Sequence, residues 1–167
     1  MKSALIVIDI QNDYFPDGLF PQWEAEATLT RIEGMVAAAQ AQQIPVILVQ
    51  HIAAGPAPFF NAETPGVAIH PRLLACAPRA PIVVKAHADS FLNTTLESTL
   101  QALGCDEIWL CGMMTQNCVT HTALSPQAAK YRVKVLGDGC SSVSQMIHLI
   151  ALRALADRVE VCNGLPV

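Results

Sequence analysis

Cys118 stands in the stretch CGMMTQNCVTHT (111–122), ringed by Gly, Thr, Gln and Asn. A cysteine that only fills a core needs no such polar company. A thiol attacks a carbonyl carbon as its thiolate, and a free cysteine, with a pKa of about 8.5, is mostly protonated at neutral pH. Two other residues could supply what it lacks. Lys85 ends the apolar run PIVVKA (81–86), and Asp9 ends ALIVID (4–9). An ammonium beside the sulfur favours the thiolate. A carboxylate can take the thiol proton and later return it to a leaving amine. Nucleophile, proton carrier and orienting charge complete the logic of a triad without a histidine. If Cys118 also opens a helix, the helix dipole adds to the effect.

These three residues are far apart in sequence, so the fold must bring them together. Short β-branched runs alternate with stretches of helical spacing. Strands are expected at 4–9, 45–50, 81–86, 106–112, 132–137 and 158–162. Helices are expected at 24–42, at 93–104 with Asn93 as N-cap and Gly104 as terminator, at 118–130 with a break at Pro126, and at 143–157. This β-α-β repetition implies an α/β, three-layer α-β-α, Rossmann-like fold with a mainly parallel six-stranded sheet. It is read as a single domain over 1–167. The segment 51–80, rich in Pro and Ala, is expected to be a long irregular loop with a task of its own. Ligands of such sheets sit beyond the carboxyl ends of the strands. Those ends carry Asp9, His51, Lys85, the segment 112–118 and Asp138.

Composition narrows the function. Hydrophobic residues make up 52% and charged residues 14% of the 167, at a net charge of -4. That charge argues against a nucleic-acid partner. No apolar run has the length of a membrane span, and MKSALIVIDIQND (1–13) reads as a first strand and not a signal peptide, so a cytoplasmic protein is expected. The six cysteines form no C-x-x-C pair and no cluster at zinc spacing. The high apolar fraction points to a deeply buried sheet, a homo-oligomer, or both.

VIDIQNDYF (7–15), Lys85 after an apolar strand, and CGMMTQNCVTHTA (111–123) together resemble the isochorismatase-like cysteine hydrolases, which include nicotinamidases and N-carbamoylsarcosine amidases. The resemblance runs over nearly the whole chain in the same order. It implies Cys118 as nucleophile, Asp9 as general base and acid, and Lys85 as support for the thiolate. It implies a cis peptide between Met113 and Met114 that turns the Met114 N–H toward that of Cys118, forming an oxyanion hole, with Thr115 bracing the turn. Losing one such donor typically costs about 3 kcal/mol of transition-state stabilisation. The expected activity is cleavage of an amide C–N bond in a small molecule through a Cys118 thioester. Neither an organic cofactor nor a metal is called for, since Gln50 stands near where nicotinamidases carry an acidic metal ligand. The presence of Cys118 argues against ether cleavage of the isochorismatase type.

Gln11, Phe15, His51 and Phe59 are expected to line the substrate pocket, with Gln11 alternatively capping a turn. The competing readings are a silent or ligand-binding relative, and a phosphotransferase with its first Asp after strand one. Gln11 replaces the second Asp that the phosphotransferase needs. No G-x-G-x-x-G and no Walker loop follows a strand.

Overall fold

The apolar runs form six strands: β1 Ser3–Ile8, β2 Val46–His51, β3 Ile82–Lys85, β4 Glu107–Met113, β5 Arg132–Ser141 and β6 Glu160–Cys162. The computed structural model describes residues 1–166; Val167, the last residue of the expected domain, lies outside the described residues. The strands lie in the order β3-β2-β1-β4-β5-β6, and every pair is parallel. Central strands of a parallel sheet are covered on both faces. Accordingly Ala4, Leu5, Ile6, Val7 and Ile8 of β1 are all fully buried. Helices α1 (Ala25–Ala41), α2 (Pro71–Cys76), α3 (Leu96–Leu103), α4 (Thr120–Ala123) and α5 (Gln145–Leu155) complete the α/β architecture. Among the described residues, no helix is long and apolar enough to cross a membrane.

The strand order reverses direction between β1 and β4. Connections from these two strands diverge and leave a crevice beyond their carboxyl ends. Asp9 and the nucleophile segment therefore flank one switch point. Gly112 (φ 126°) makes their approach close: a Cβ there would sit 2.0 Å from the Ile8 carbonyl oxygen.

Several expected boundaries differ. Helix α3 starts at Leu96 after Thr95, whereas Asn93 sits earlier in a left-handed conformation; Thr94 Oγ1 takes the Leu96 N–H. The expected helix 118–130 is three pieces: a π turn at Thr115–Val119, then α4, then a 3-10 turn at Pro126–Lys130. Strand β5 runs on to Ser141, so Asp138 lies inside it and not at its end. Its Oδ1 accepts from the Gly164 N–H. The loop 51–80 holds α2, whose first residue Pro71 has a preset φ and whose cap is His70 Nδ1, accepting from the Arg72 N–H.

Candidate active site

Asp9 follows β1 with φ 55°, a left-handed turn that bends the chain out of the sheet. Its N–H donates to the Val49 carbonyl at 3.1 Å, and its side chain is fully buried. Lys85 ends β3 and is buried as well. Its Nζ lies 3.0 Å from Asp9 Oδ2, 3.3 Å from Cys118 Sγ, 2.8 Å from His51 Nδ1 and 3.0 Å from the His87 carbonyl oxygen. An ammonium has three protons, so these four neighbours cannot all be served at once. The Asp9 carboxylate is the group left short. It has the ion-pair contact, but neither of its oxygens takes a well-directed hydrogen bond. A buried carboxylate without donors is costly, which is a common mark of a working group.

As an ammonium only donates, His51 Nδ1 accepts and the ring proton rests on Nε2. Burial and the neighbouring Lys85 lower the His51 pKa, which keeps the ring neutral at pH 7. Cys118 behaves differently from the sequence expectation. Burial first, and then the Asp9 carboxylate, push its thiol up, and the opposing pull of Lys85 is smaller. The thiol is therefore protonated at rest. The helix-dipole argument fails too: Cys118 is the fourth residue of the π turn and opens no helix. A thiolate must arise by proton transfer during attack, and Asp9 is the adjacent acceptor.

The turn that carries Cys118 is tied down on both sides. Thr115 Oγ1 donates to the Ser141 carbonyl at 3.0 Å. That commits its only proton, so its 2.8 Å contact with His148 Nδ1 has the histidine donating. Thr120 Oγ1 donates to the Thr115 carbonyl. The N–H groups of Asn117 and Val119 donate to the Met114 carbonyl, and the Met113–Met114 peptide is cis. Met113 is fully buried and Met114 nearly so.

A cavity of about 180 Å³ opens on Cys118, walled by Tyr14, His51, Phe59, Phe60 and Asn117, among others. Phe59 is thus in the expected place, with its ring stacked on Phe20 at 4.7 Å. Two expected lining residues are elsewhere. Gln11 spends its side chain on the backbone: Nε2 donates to the carbonyls of His51 and Val67, and Oε1 accepts from the His51 N–H. It clamps the end of β2. Phe15 packs against His70 and lines a separate cavity with Asp13.

Tyr14, Asn117 and Asp13 were missed by the sequence reasoning. Asn117 adjoins the nucleophile, which was a usable signal. Tyr14 and Asp13 share the VIDIQNDYF stretch, but nothing in their spacing tells wall from spectator. Asp13 is 2% exposed. Its carboxylate accepts from the N–H groups of Leu19 and Phe60, at 3.2 and 2.7 Å, and so fixes the cavity wall.

Asp9, His51 and Cys118 offer donor atoms that all lie within 4.8 Å of one another, a set suited to a cation. The Lys85 ammonium already stands against each of the three, which opposes a metal there electrostatically.

Comparison with known proteins gives the family and the fold. The isochorismatase domain model matches residues 3–163. An uncharacterised isochorismatase family protein of Bacillus subtilis, YddQ, is 36% identical over 149 residues, covering 89% of this chain and 82% of its own. A streptothricin hydrolase of Streptomyces noursei is 32% identical over 131 residues, 78% of this chain but 46% of its own length. Among solved structures, an isochorismatase-like hydrolase from Alkaliphilus metalliredigens has the same fold. Its TM-score is 0.89 at 24% identity, with 98% of this chain and 95% of that one covered.

Proposed function

The chain belongs to the isochorismatase domain family of hydrolases, and from that premise we propose that it cleaves an amide C–N bond in a small molecule through a thioester on Cys118. One observation carries this reading: Lys85 Nζ sits 3.0 Å from Asp9 Oδ2 and 3.3 Å from Cys118 Sγ, with all three side chains buried. Asp9 takes the thiol proton as Sγ bonds to the carbonyl carbon. The N–H groups of Met114 and Cys118 receive the oxyanion. The tetrahedral adduct collapses, the C–N bond breaks, and Asp9 gives its proton to the departing nitrogen. Water then loses a proton to Asp9 and attacks the thioester, and the proton returns to sulfur as the acid leaves.

Lys85 holds the Asp9 charge in place and faces the sulfur as negative charge develops on it. His51 presents its Nε2–H as a donor beside the nucleophile, and Tyr14, Phe59 and Phe60 give the cavity its apolar walls. A volume of about 180 Å³ suits a small acyl group. No organic cofactor enters these steps, and one hydrolase domain over 1–167 suffices. Six free cysteines support a reducing, cytoplasmic setting.

The test is a panel of small primary amides and ureido compounds, read by ammonia release and by intact mass. Turnover with an adduct on Cys118, lost in Cys118→Ala, is the expected result. Turnover that survives Cys118→Ala contradicts the reading.

A further inference from the structure

Helix α5 begins at its cap, where Ser144 Oγ accepts from the Ile147 N–H. His148, Ala151 and Leu155 follow at helical spacing, so they share the inward face. His148 is 6% exposed, and its ring stands 5.9 Å from that of Trp23. Burial first, and then Arg31, lower its pKa, so the ring is neutral at pH 7 and carries its single N–H proton on one nitrogen or the other. The hydrogen bonds of the two nitrogens decide which. Nδ1 lies 2.8 Å from Thr115 Oγ1.

Thr115 has one hydroxyl proton and two neighbours able to take it: the Ser141 carbonyl at 3.0 Å and His148 Nδ1. Only the histidine can also donate. With the ring proton on Nδ1, His148 donates to Oγ1 and the Thr115 proton is committed to Ser141, so both contacts are hydrogen bonds. With the ring proton on Nε2, two acceptors compete for one proton. Either the tie to β5 or the contact with α5 is then left without one, beside the fully buried Thr115 and Ser141. We infer that His148 is a positioning residue for the nucleophile: its Nδ1–H turns the Thr115 hydroxyl onto β5 and so fixes the turn that carries Cys118. The inference rests on the reading of Cys118 as nucleophile.

The turn needs that tie. Many of its bonds close within its own neighbourhood: Thr120 Oγ1 donates to the Thr115 carbonyl, and the Asn117 and Val119 N–H groups donate to the Met114 carbonyl. Among the described residues, its side chains reach the end of β5 through two bonds. Thr115 Oγ1 donates to the Ser141 carbonyl, and Gln116 Oε1 accepts from the Ser142 hydroxyl at 2.6 Å. The same two serines hold the chain ahead of α1. The Trp23 N–H donates to the Ser142 carbonyl, and the Ser141 hydroxyl donates to the Trp23 carbonyl. The end of β5, the start of α5 and the Trp23 segment therefore converge behind the turn, and His148 aims the proton that joins the turn to them. Misplacing a reacting group by about 1 Å can cost about 100-fold in rate. The cavity walls Tyr14, His51, Phe59 and Phe60 lie on other segments, so the effect falls on kcat and spares KM.

Nitrogen NMR of the full chain carrying isotope-labelled histidine reads the ring directly. The His148 signals, assigned by their loss in His148→Asn, are expected to be those of the neutral Nδ1–H tautomer. An Nε2–H tautomer overturns the inference. Substitution separates positioning from packing. His148→Asn offers an N–H from the same branch point as Nδ1, His148→Gln carries it one bond too far, and His148→Leu fills space with no donor. On an amide that the enzyme turns over, kcat is expected to fall about 10-fold or more in His148→Leu and His148→Gln with KM little changed, while His148→Asn keeps most of it. Equal kcat in His148→Asn and His148→Gln overturns the inference, even where His148→Leu fails to fold. If no amide is turned over, the catalytic reading fails on its own, and hydrogen exchange at the Asn117 and Val119 amides decides the inference. Faster exchange in His148→Gln than in His148→Asn is expected, and equal rates overturn it.

Discussion

Asp9 and Asp13 lie four residues apart in one short stretch, and both carboxylates are buried. They are held in opposite ways. Asp13 accepts two backbone N–H bonds, from Leu19 and Phe60. Asp9 pairs with the Lys85 ammonium beside the Cys118 thiol, and its oxygens take no well-directed hydrogen bond. Two fixed amides meet the Asp13 carboxylate and hold it in place. The Asp9 carboxylate lies beside a cation and a thiol with its lone pairs not committed to the backbone, in position to exchange a proton with the sulfur. The difference separates a structural acid from a working one, where residue type and burial alone would rank them equal.

That contrast can be broken by substitution. The largest effect is expected from Cys118→Ala, which removes the nucleophile. Turnover on any substrate found should fall by about 10⁵-fold or more, with the melting temperature little changed. Asp9→Asn comes next. It should lower kcat by about 10²–10⁴-fold, the usual worth of a positioned acid–base group, while Asp13→Asn should leave the chemical step largely intact. In chemical denaturation the ranking turns toward Asp13. Asp13→Ala strands the buried Phe60 N–H and loosens the part-buried Leu19 N–H, and should cost about 1–3 kcal/mol of stability. Gly66→Ala sharpens the same side of the comparison. Its Cβ would fall 1.9 Å from Asp13 Oδ1, so the loop or the carboxylate must shift, at a cost of about 1–3 kcal/mol. Equal kinetic defects in Asp9→Asn and Asp13→Asn would erase the distinction.

The sequence carried the architecture well, because short β-branched runs such as ALIVID and PVILVQ alternate with longer stretches of helical spacing. Their place at the carboxyl ends of the expected strands then put Asp9, Lys85 and the segment before Cys118 on one edge. Less visible were features decided by tertiary contact. The fifth strand was expected to stop at 137, yet β5 runs on through Gly139 to Ser141. At Gly139 a Cβ would meet Met35 Sδ at 2.8 Å, so the glycine answers to the close packing of α1. Gln11 carried no mark that its side chain would close on the His51 and Val67 backbone. The protonated thiol was hidden as well. The Lys85 charge was legible, but the depth of burial and the nearness of Asp9, which outweigh it, exist only in the folded chain.

The central claim is that Asp9, Lys85 and Cys118 form one electrostatic unit. The most direct test follows alkylation of Cys118 by iodoacetamide against pH, with peptide mapping, in the wild type, Asp9→Asn and Lys85→Met. Asp9 raises the thiol pKa and Lys85 lowers it. The labelling curve of Asp9→Asn should therefore move to lower pH than that of the wild type, and the curve of Lys85→Met to higher pH. Three superimposed curves, or shifts of the opposite sign, would contradict the account.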